Sequence, residues 1–200
     1  MERIASFTVN HDVLVPGLYL SRRDGDVTTF DLRFKKPNTG DLLTNAQMHS
    51  VEHIIATFLR NSPEKDAVIY FGPMGCQTGF YFLFDSRRLT DAEAIALLQR
   101  VFTAGAAYDG PMPGKSAAEC GNYRNLDAAL ARACCAFYAD VIRNWTPESL
   151  VYPQAEAEPA PGCQFVDNWG PLWYHGPNLF QIRRGPCPHE SWYIPRCWPR

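Results

Sequence analysis

The sequence predicts an α+β fold, an antiparallel β-sheet with helices packed on one face. Three observations predict it. Short alternating runs bounded by turn signals read as strands. Two long segments open with capping boxes and continue at the helical period. The elements then follow the order strands, helix, strands, helix, helix, with short hairpin-like links between the strands.

The first 35 residues read as strands. Val13 to Leu20 is one candidate, interrupted by Pro16-Gly17, and Asp24-Gly25 is a turn signal. Phe30, Leu32 and Phe34 then alternate with Asp31, Arg33 and Lys35, the period of a half-buried strand. Arg33 therefore points away from the apolar face, toward solvent, a subunit interface or an anion pocket. Pro37 to Gly40 is a loop. Thr44 to Arg60 reads as a helix: Thr44 and Gln47 form a capping box, and Met48, Val51, Ile54, Ile55, Phe58 and Leu59 share one side. Asn61-Ser62-Pro63 ends it.

Ala67 to Phe71 is a short strand, Gly72 to Cys76 an irregular turn, and Thr78 to Phe84 an apolar strand. A second helix starts at Thr90, capped with Glu93, and carries Ile95, Leu98, Val101 and Phe102. A Gly/Pro-rich loop, Gly105 to Gly114, leads to Glu119-Cys120-Gly121. The third helix is expected from about Asn125 to Trp145, with Leu126, Leu130, Ala133, Cys134, Phe137, Tyr138, Val141 and Ile142 as its stripe. Cys134 and Cys135 read as packing residues. From Pro147 onward the composition changes: ten of the sixteen prolines and four of the five tryptophans lie there, and no period survives. This divides the chain into a folded domain, 1–152, and a Pro/Trp-rich tail, 153–200, expected to be disordered or loosely packed.

Two hundred residues at 46% hydrophobic content can bury a real core. A net charge of −2 gives no argument for nucleic acid or an acidic membrane surface. No apolar run approaches the length of a membrane span, and the first residues carry no apolar signal region. A cytoplasmic protein is expected. The seven cysteines, an odd number at irregular spacing, argue against a disulfide framework and leave thiols for metal binding or catalysis. Cys163, His175, Cys187, His189 and Cys197 in the tail match no tight zinc spacing.

The chemistry centres on His49-Ser50-Val51-Glu52-His53. His49 and His53 stand one turn apart, so both imidazoles leave the same side of the helix and can bind one divalent metal. Glu52 projects between them and can move protons without being a ligand. This order, His-x-x-Glu-His, is that of the inverted zincins. A catalytic site needs a third protein ligand, and Cys120 and Glu119 both stand in a loop suited to supply it. With Glu119 as third ligand, the chain reads as an inverted-zincin metallopeptidase using Glu52 as general base. A closed site would instead suit a metal-stabilised scaffold whose tail binds a partner.

Three motifs in order resolve this by resemblance: His49-Ser-Val-Glu-His53, Gly72-Pro-Met-Gly-Cys-Gln-Thr-Gly-Phe-Tyr81 and Glu119-Cys-Gly-Asn122. With Ser6-Phe7-x-x-Asn10-His11 and Phe30-Asp-Leu-Arg-Phe34, the chain resembles the S-ribosylhomocysteine lyases, which make the precursor of autoinducer-2, over roughly residues 3–147. The resemblance implies metal ligands His49, His53 and Cys120, holding Fe(II), with Zn or Co as substitutes. It implies Glu52 and Cys76 as general acid/base residues, and Ser6, His11 and Arg33 as substrate-binding residues. It further implies a homodimer with active sites at the subunit interface, a carbonyl migration followed by β-elimination that releases homocysteine and 4,5-dihydroxy-2,3-pentanedione, and roles in quorum sensing or methyl-cycle recycling. The chain departs from the family pattern at Tyr70-Phe71-Gly72, where many members have Asp-Ile-Ser, and at Asn10, where an acid is common.

Overall fold

A computed structural model describes residues 7–155. These all fall in one compact unit, Met1–Ala157. Four strands, β1 (Gly17–Asp24), β2 (Val27–Arg33), β3 (Val68–Pro73) and β4 (Gly79–Asp85), form an antiparallel sheet in the order β1-β2-β4-β3. Three helices accompany it: α1 (Asn45–Arg60), α2 (Asp91–Ala106) and α3 (Ala128–Ile142). None is long and apolar enough to cross a membrane.

Local chemistry fixes these boundaries. Thr44 accepts from the Gln47 amide while the Gln47 side chain accepts from the Thr44 amide, so two orphan donors of the first turn of α1 are satisfied. Thr90 and Glu93 repeat the device on α2. Asp127 caps α3 by accepting from the amides of Ala129 and Leu130. The turn from β1 to β2 passes through Gly25 at φ +59°, a conformation that side chains disfavour. Gly79 meets a different need. A Cβ there would stand 2.1 Å from the Leu32 carbonyl oxygen, so glycine lets β4 approach β2 where the pair closes, Arg33 opposite Gly79.

Alternation then assigns the two faces. Phe30 and Leu32 of β2 and Phe80, Phe82 and Phe84 of β4 are all fully buried, in one core with Val51, Ile54, Ile55 and Leu59 of α1 and with Leu97, Leu98 and Phe102 of α2. Just past β2, Phe34 stacks on Tyr138 of α3 with centroids 4.1 Å apart. Asp31 and Arg33, one residue out of phase, point to the opposite face.

Three expectations shift. The first strand starts at Gly17 rather than Val13, since Pro16 has no N–H to give a ladder, and a bulge follows between Leu20 and Arg22. The third helix is shorter at both ends than Asn125 to Trp145. Its stripe holds at Cys134, Tyr138 and Ile142, with Ala131 and Cys135 also inside, but Ala133 is exposed and Phe137 is 45% exposed. The Tyr138 ring lies in the core as expected, and its hydroxyl donates to the Gly17 carbonyl. Both cysteines are packing residues as expected, and burial raises the Cys135 thiol to about 12. The chain after α3 covers the edge of β1. Trp145 Nε1 donates to the Leu18 carbonyl, and the Leu20 amide donates to the Leu150 carbonyl.

Candidate metal centre and the Cys76 pocket

Helix α1 presents His49 and His53 side by side, with ring centroids 4.7 Å apart and planes nearly perpendicular. The loop from α2 to α3 brings in Cys120, whose Sγ lies 3.3 Å from His49 Nε2. The ligating atoms of the three residues lie within 4.8 Å of one another.

Three contacts hold this loop against the helix. The Asp127 amide donates to Ser50 Oγ, a fully buried hydroxyl on α1 (2.8 Å). Asn125 donates to Asn45 at the first turn. His53 Nδ1 lies 2.9 Å from the Pro113 carbonyl oxygen. That oxygen can only accept, so Nδ1 carries the proton and Nε2 is the nitrogen able to ligate a metal. Burial, followed by the neighbouring His53, holds His49 below its ordinary pKa, with Glu52 partly opposing. The imidazole is thereby kept in the neutral form that binds metals.

Gly114 is part of the same clamp. It adopts φ +66°, and a Cβ there would stand 2.9 Å from the His53 ring. Gly114→Ala is expected to push His53 off its Pro113 contact and weaken metal binding by roughly 10–100-fold, the usual cost of losing an outer-shell partner. Titration of the apo-protein with Co(II), followed by its visible absorption, measures this.

The donor set fits a catalytic metal: two imidazoles and one thiolate from the protein, which leave a fourth position of a tetrahedral ion unfilled by these three. Glu52, half-buried, precedes His53 on the same helix. Glu119 does not join the cluster. It is exposed and accepts from Ser116 Oγ at 2.6 Å.

A second group of residues gathers on the opposite face of the sheet. His11, Asp31, Arg33, Cys76, Tyr81 and Tyr152 line a cavity of about 220 Å³, together with Ser21 and the Met74-Gly75 turn. Cys76 is exposed at the tip of the β3–β4 hairpin, where Gln77 takes φ +61°. Its Sγ lies 3.0 Å from Thr78 Oγ1 and 3.9 Å from Arg33 Nη1.

Arg33 does point away from the apolar face, but solvent is not what it meets. It is 3% exposed and pairs with Asp31, also 3% exposed, at 2.5 Å. Burial pushes the Asp31 carboxyl up, and the Arg33 charge and hydrogen bond pull it back. Burial pulls Arg33 down, but Asp31 outweighs this and leaves the guanidinium above its ordinary value. Tyr152 donates to the same Asp31 oxygen (3.0 Å) and stacks on Tyr19, and burial drives its own phenol strongly upward. Arg33 Nε and Asp31 Oδ1 are buried with no hydrogen-bond partner among the described residues.

The structure thus gathers His49, His53 and Cys120 in one place, and His11, Arg33 and Cys76 in another. Ser6 and the tail's Cys163, His175, Cys187, His189 and Cys197 lie outside the described residues. Sequence reasoning passed over Asp31, Thr78 and Tyr152. The alternation places Asp31 on the Arg33 side, and that was the available signal. Tyr152 carried none, because its partner is 121 positions away.

Comparison with known proteins identifies the family. The family described as S-ribosylhomocysteinase (LuxS) matches residues 4–148. A protein named S-ribosylhomocysteine lyase from Clostridium beijerinckii is 43% identical over 159 residues, covering 76% of this chain and 99% of that protein. Like-named proteins from Finegoldia magna and Desulfotalea psychrophila are 42% and 45% identical, covering 77% and 76% of this chain and 100% and 99% of their own lengths. With identities this high over nearly the full length of these relatives, the chain belongs to the S-ribosylhomocysteinase (LuxS) family.

Proposed function

We infer that this chain is a metal-dependent S-ribosylhomocysteine lyase, releasing homocysteine and 4,5-dihydroxy-2,3-pentanedione. The observation that carries the reading is the convergence of His49, His53 and Cys120 within 4.8 Å, beside Glu52, in a chain of this family. These three residues hold the metal, and the helix works as in an inverted zincin, with two histidines ligating and the carboxylate between them moving protons. The ion is Fe(II), with Zn or Co able to replace it. When bound, it supplies Lewis acidity to the sugar oxygens, with no redox change needed.

The chain's own residues do the rest. Migration of the carbonyl from C1 to C3 requires protons to leave C2 and C3 and return to C1 and C2. The thioether carbon, C5, is then β to the carbonyl, so loss of the C4 proton expels homocysteine thiolate, which takes up a proton. One residue cannot reach every carbon of the sugar chain, so Glu52 and Cys76 divide the transfers. Arg33, with a buried Nε still to be satisfied, and His11 hold the sugar in the Cys76 pocket. Ser6 is the third substrate-binding residue of this reading. The Arg33 guanidinium also places positive charge beside the Cys76 sulfur.

The Cys76 pocket contains none of the metal-centre residues, and Arg33 lies on the sheet face away from α1. A complete site therefore forms between two copies, the metal centre of one facing the Cys76 pocket of the other, in a cytoplasmic homodimer. The catalytic domain is 1–152 and the remainder is an appended tail. A chain ending at Ala155 is expected to keep full activity, since it retains Tyr152 and its bond to Asp31.

Thiol release tests the assignment. Anaerobic protein loaded with Fe(II) or Co(II) is given S-ribosylhomocysteine, and homocysteine is followed with a thiol reagent against Cys76→Ala. Release by the parent alone supports the lyase. No release from folded, metal-loaded protein refutes it, and cleavage of a peptide panel would then favour the metallopeptidase.

A further inference from the structure

Behind Cys76 the structure builds a chain of hydrogen bonds that the lyase reading does not by itself require. Tyr152 donates to Asp31 Oδ2 (3.0 Å), which also accepts from Arg33 Nη2 (2.5 Å). Arg33 Nη1 donates to Thr78 Oγ1 (2.5 Å), and Thr78 Oγ1 lies 3.0 Å from Cys76 Sγ. Asp31, Arg33 and Thr78 are each about 3% exposed or less. Water is therefore a poor substitute for any of these contacts.

In the thiolate form of Cys76 the last bond has one direction, because a thiolate carries no proton and the Thr78 hydroxyl must donate. A guanidinium can only donate, so toward Arg33 the Thr78 hydroxyl must accept. Its single proton is then free for another acceptor. Asp31 Oδ2 already receives Arg33 and Tyr152, and the Cys76 sulfur lies within hydrogen-bond distance of the hydroxyl. The Thr78 backbone is held independently, because its carbonyl accepts the amides of both Phe34 and Lys35. The hydroxyl is thus aimed by the strand behind it as well as by Arg33.

We propose that Thr78 is a positioning residue for the reaction: its hydroxyl, polarised by the buried Arg33–Asp31–Tyr152 chain, donates to the thiolate form of Cys76 and stabilises it. The proposal rests on the role given to Cys76 above. The two N–H groups of Arg33 Nη1 divide the work, one pointing at Thr78 and one at the sulfur 3.9 Å away. The thiolate thereby gains two donors that are held in place before substrate arrives, and holding them costs no reorganisation at the moment of proton transfer. Thr78 touches no reacting carbon and acts only through Cys76.

Two variants separate a hydroxyl effect from a packing effect. Thr78→Val keeps the shape and removes the donor. Thr78→Ser keeps the donor and removes a methyl group. The first readout is the rate of Cys76 carbamidomethylation by iodoacetamide at neutral pH, located by peptide mass, which needs no substrate. The second is kcat and KM for thiol release. Loss of a hydrogen bond to a charged group predicts that Thr78→Val slows both alkylation and kcat by roughly tenfold or more, with metal content near the parent and Tm lowered, because the buried Arg33 Nη1 also loses its acceptor. Thr78→Ser should return both rates to within about threefold.

Parent-like alkylation of Thr78→Val overturns the proposal. So does a Thr78→Ser variant as slow as Thr78→Val, because the methyl group and not the hydroxyl would then matter. If Thr78→Val does not fold, Thr78→Ala lacks the same donor, imposes no new shape and is read in the same way. The alkylation arm stands apart from the lyase assignment. A parent that alkylates rapidly but releases no homocysteine sinks the assignment and leaves the hydrogen bond tested. A parent that turns over, with no dependence of alkylation on Thr78, sinks only this inference.

Discussion

Cys120→Ala is expected to strip the metal from the protein and abolish thiol release, while Glu119→Ala, one residue away, leaves both intact. The structure makes the contrast sharp. The Cys120 sulfur lies 3.3 Å from His49 Nε2 and forms one corner of the three-residue cluster. The Glu119 carboxylate is exposed and is engaged by Ser116. Losing a ligand should cost well beyond the roughly 10–100-fold expected when only an outer partner is lost, as for Gly114→Ala. Two histidines alone rarely retain a divalent ion against a chelator. The measurement is metal content after dialysis against a mild chelator, together with homocysteine release. A Cys120→Ala protein that keeps its metal, beside a Glu119→Ala protein that loses it, would reverse the ligand assignment and revive the peptidase.

The same comparison tells a structural metal from a catalytic one. A metal that supports the fold should lower Tm markedly when it leaves, because its binding free energy is folding free energy. Here α1 is anchored by Val51, Ile54, Ile55 and Leu59 in a core shared with the sheet. The Cys120 loop is tied down through Ser50 and Asp127 without any metal. Cys120→Ala should therefore melt within a few degrees of the parent. A large loss of Tm would favour the scaffold reading over the lyase.

Short-range chemistry was legible in the sequence, and partners distant along the chain were not. The capping pairs Thr44–Gln47 and Thr90–Glu93 lie three residues apart, so the same residues that announce each helix also cap it. The His49–Glu52–His53 frame is equally local. The alternation around Phe30 correctly turned Arg33 away from the core. It could not say that the far face was sealed by Tyr152, which arrives from the other end of the domain. Arg33 was therefore legible as a direction and illegible as a buried ion pair. Thr78 was similar: nothing in its neighbours along the chain announces an arginine 45 positions earlier. In α3 the stripe was right at Cys134, Tyr138 and Ile142 and wrong at its edges, Ala133 and Phe137. Apolar residues surround much of that helix, so the pattern left the width of its buried face open, and the Tyr138–Phe34 stack together with the Gly17 contact centres that face on Tyr138.

Mixing two inactive variants is expected to restore activity. Glu52→Gln should lower kcat by roughly 10²–10⁴-fold by removing one proton carrier, and Cys76→Ala should be comparably impaired. Glu52 belongs to the metal-centre half on α1, and Cys76 to the pocket half with Arg33 and His11. If the halves meet across a two-fold axis, a dimer containing one of each variant has one doubly damaged site and one intact site. Random pairing at equal amounts makes half the dimers mixed, so activity should return to about a quarter of the parent's. Co-expression of the two variants with different affinity tags, and assay of the doubly purified dimer, raises the expectation to about half. The effect is large because the baseline is nearly zero. No restoration in a verified mixed dimer would place Glu52 and Cys76 in the same chain's site and would overturn the division of the two halves between subunits. A chain that stays monomeric at assay concentration while turning over substrate would overturn the shared site altogether.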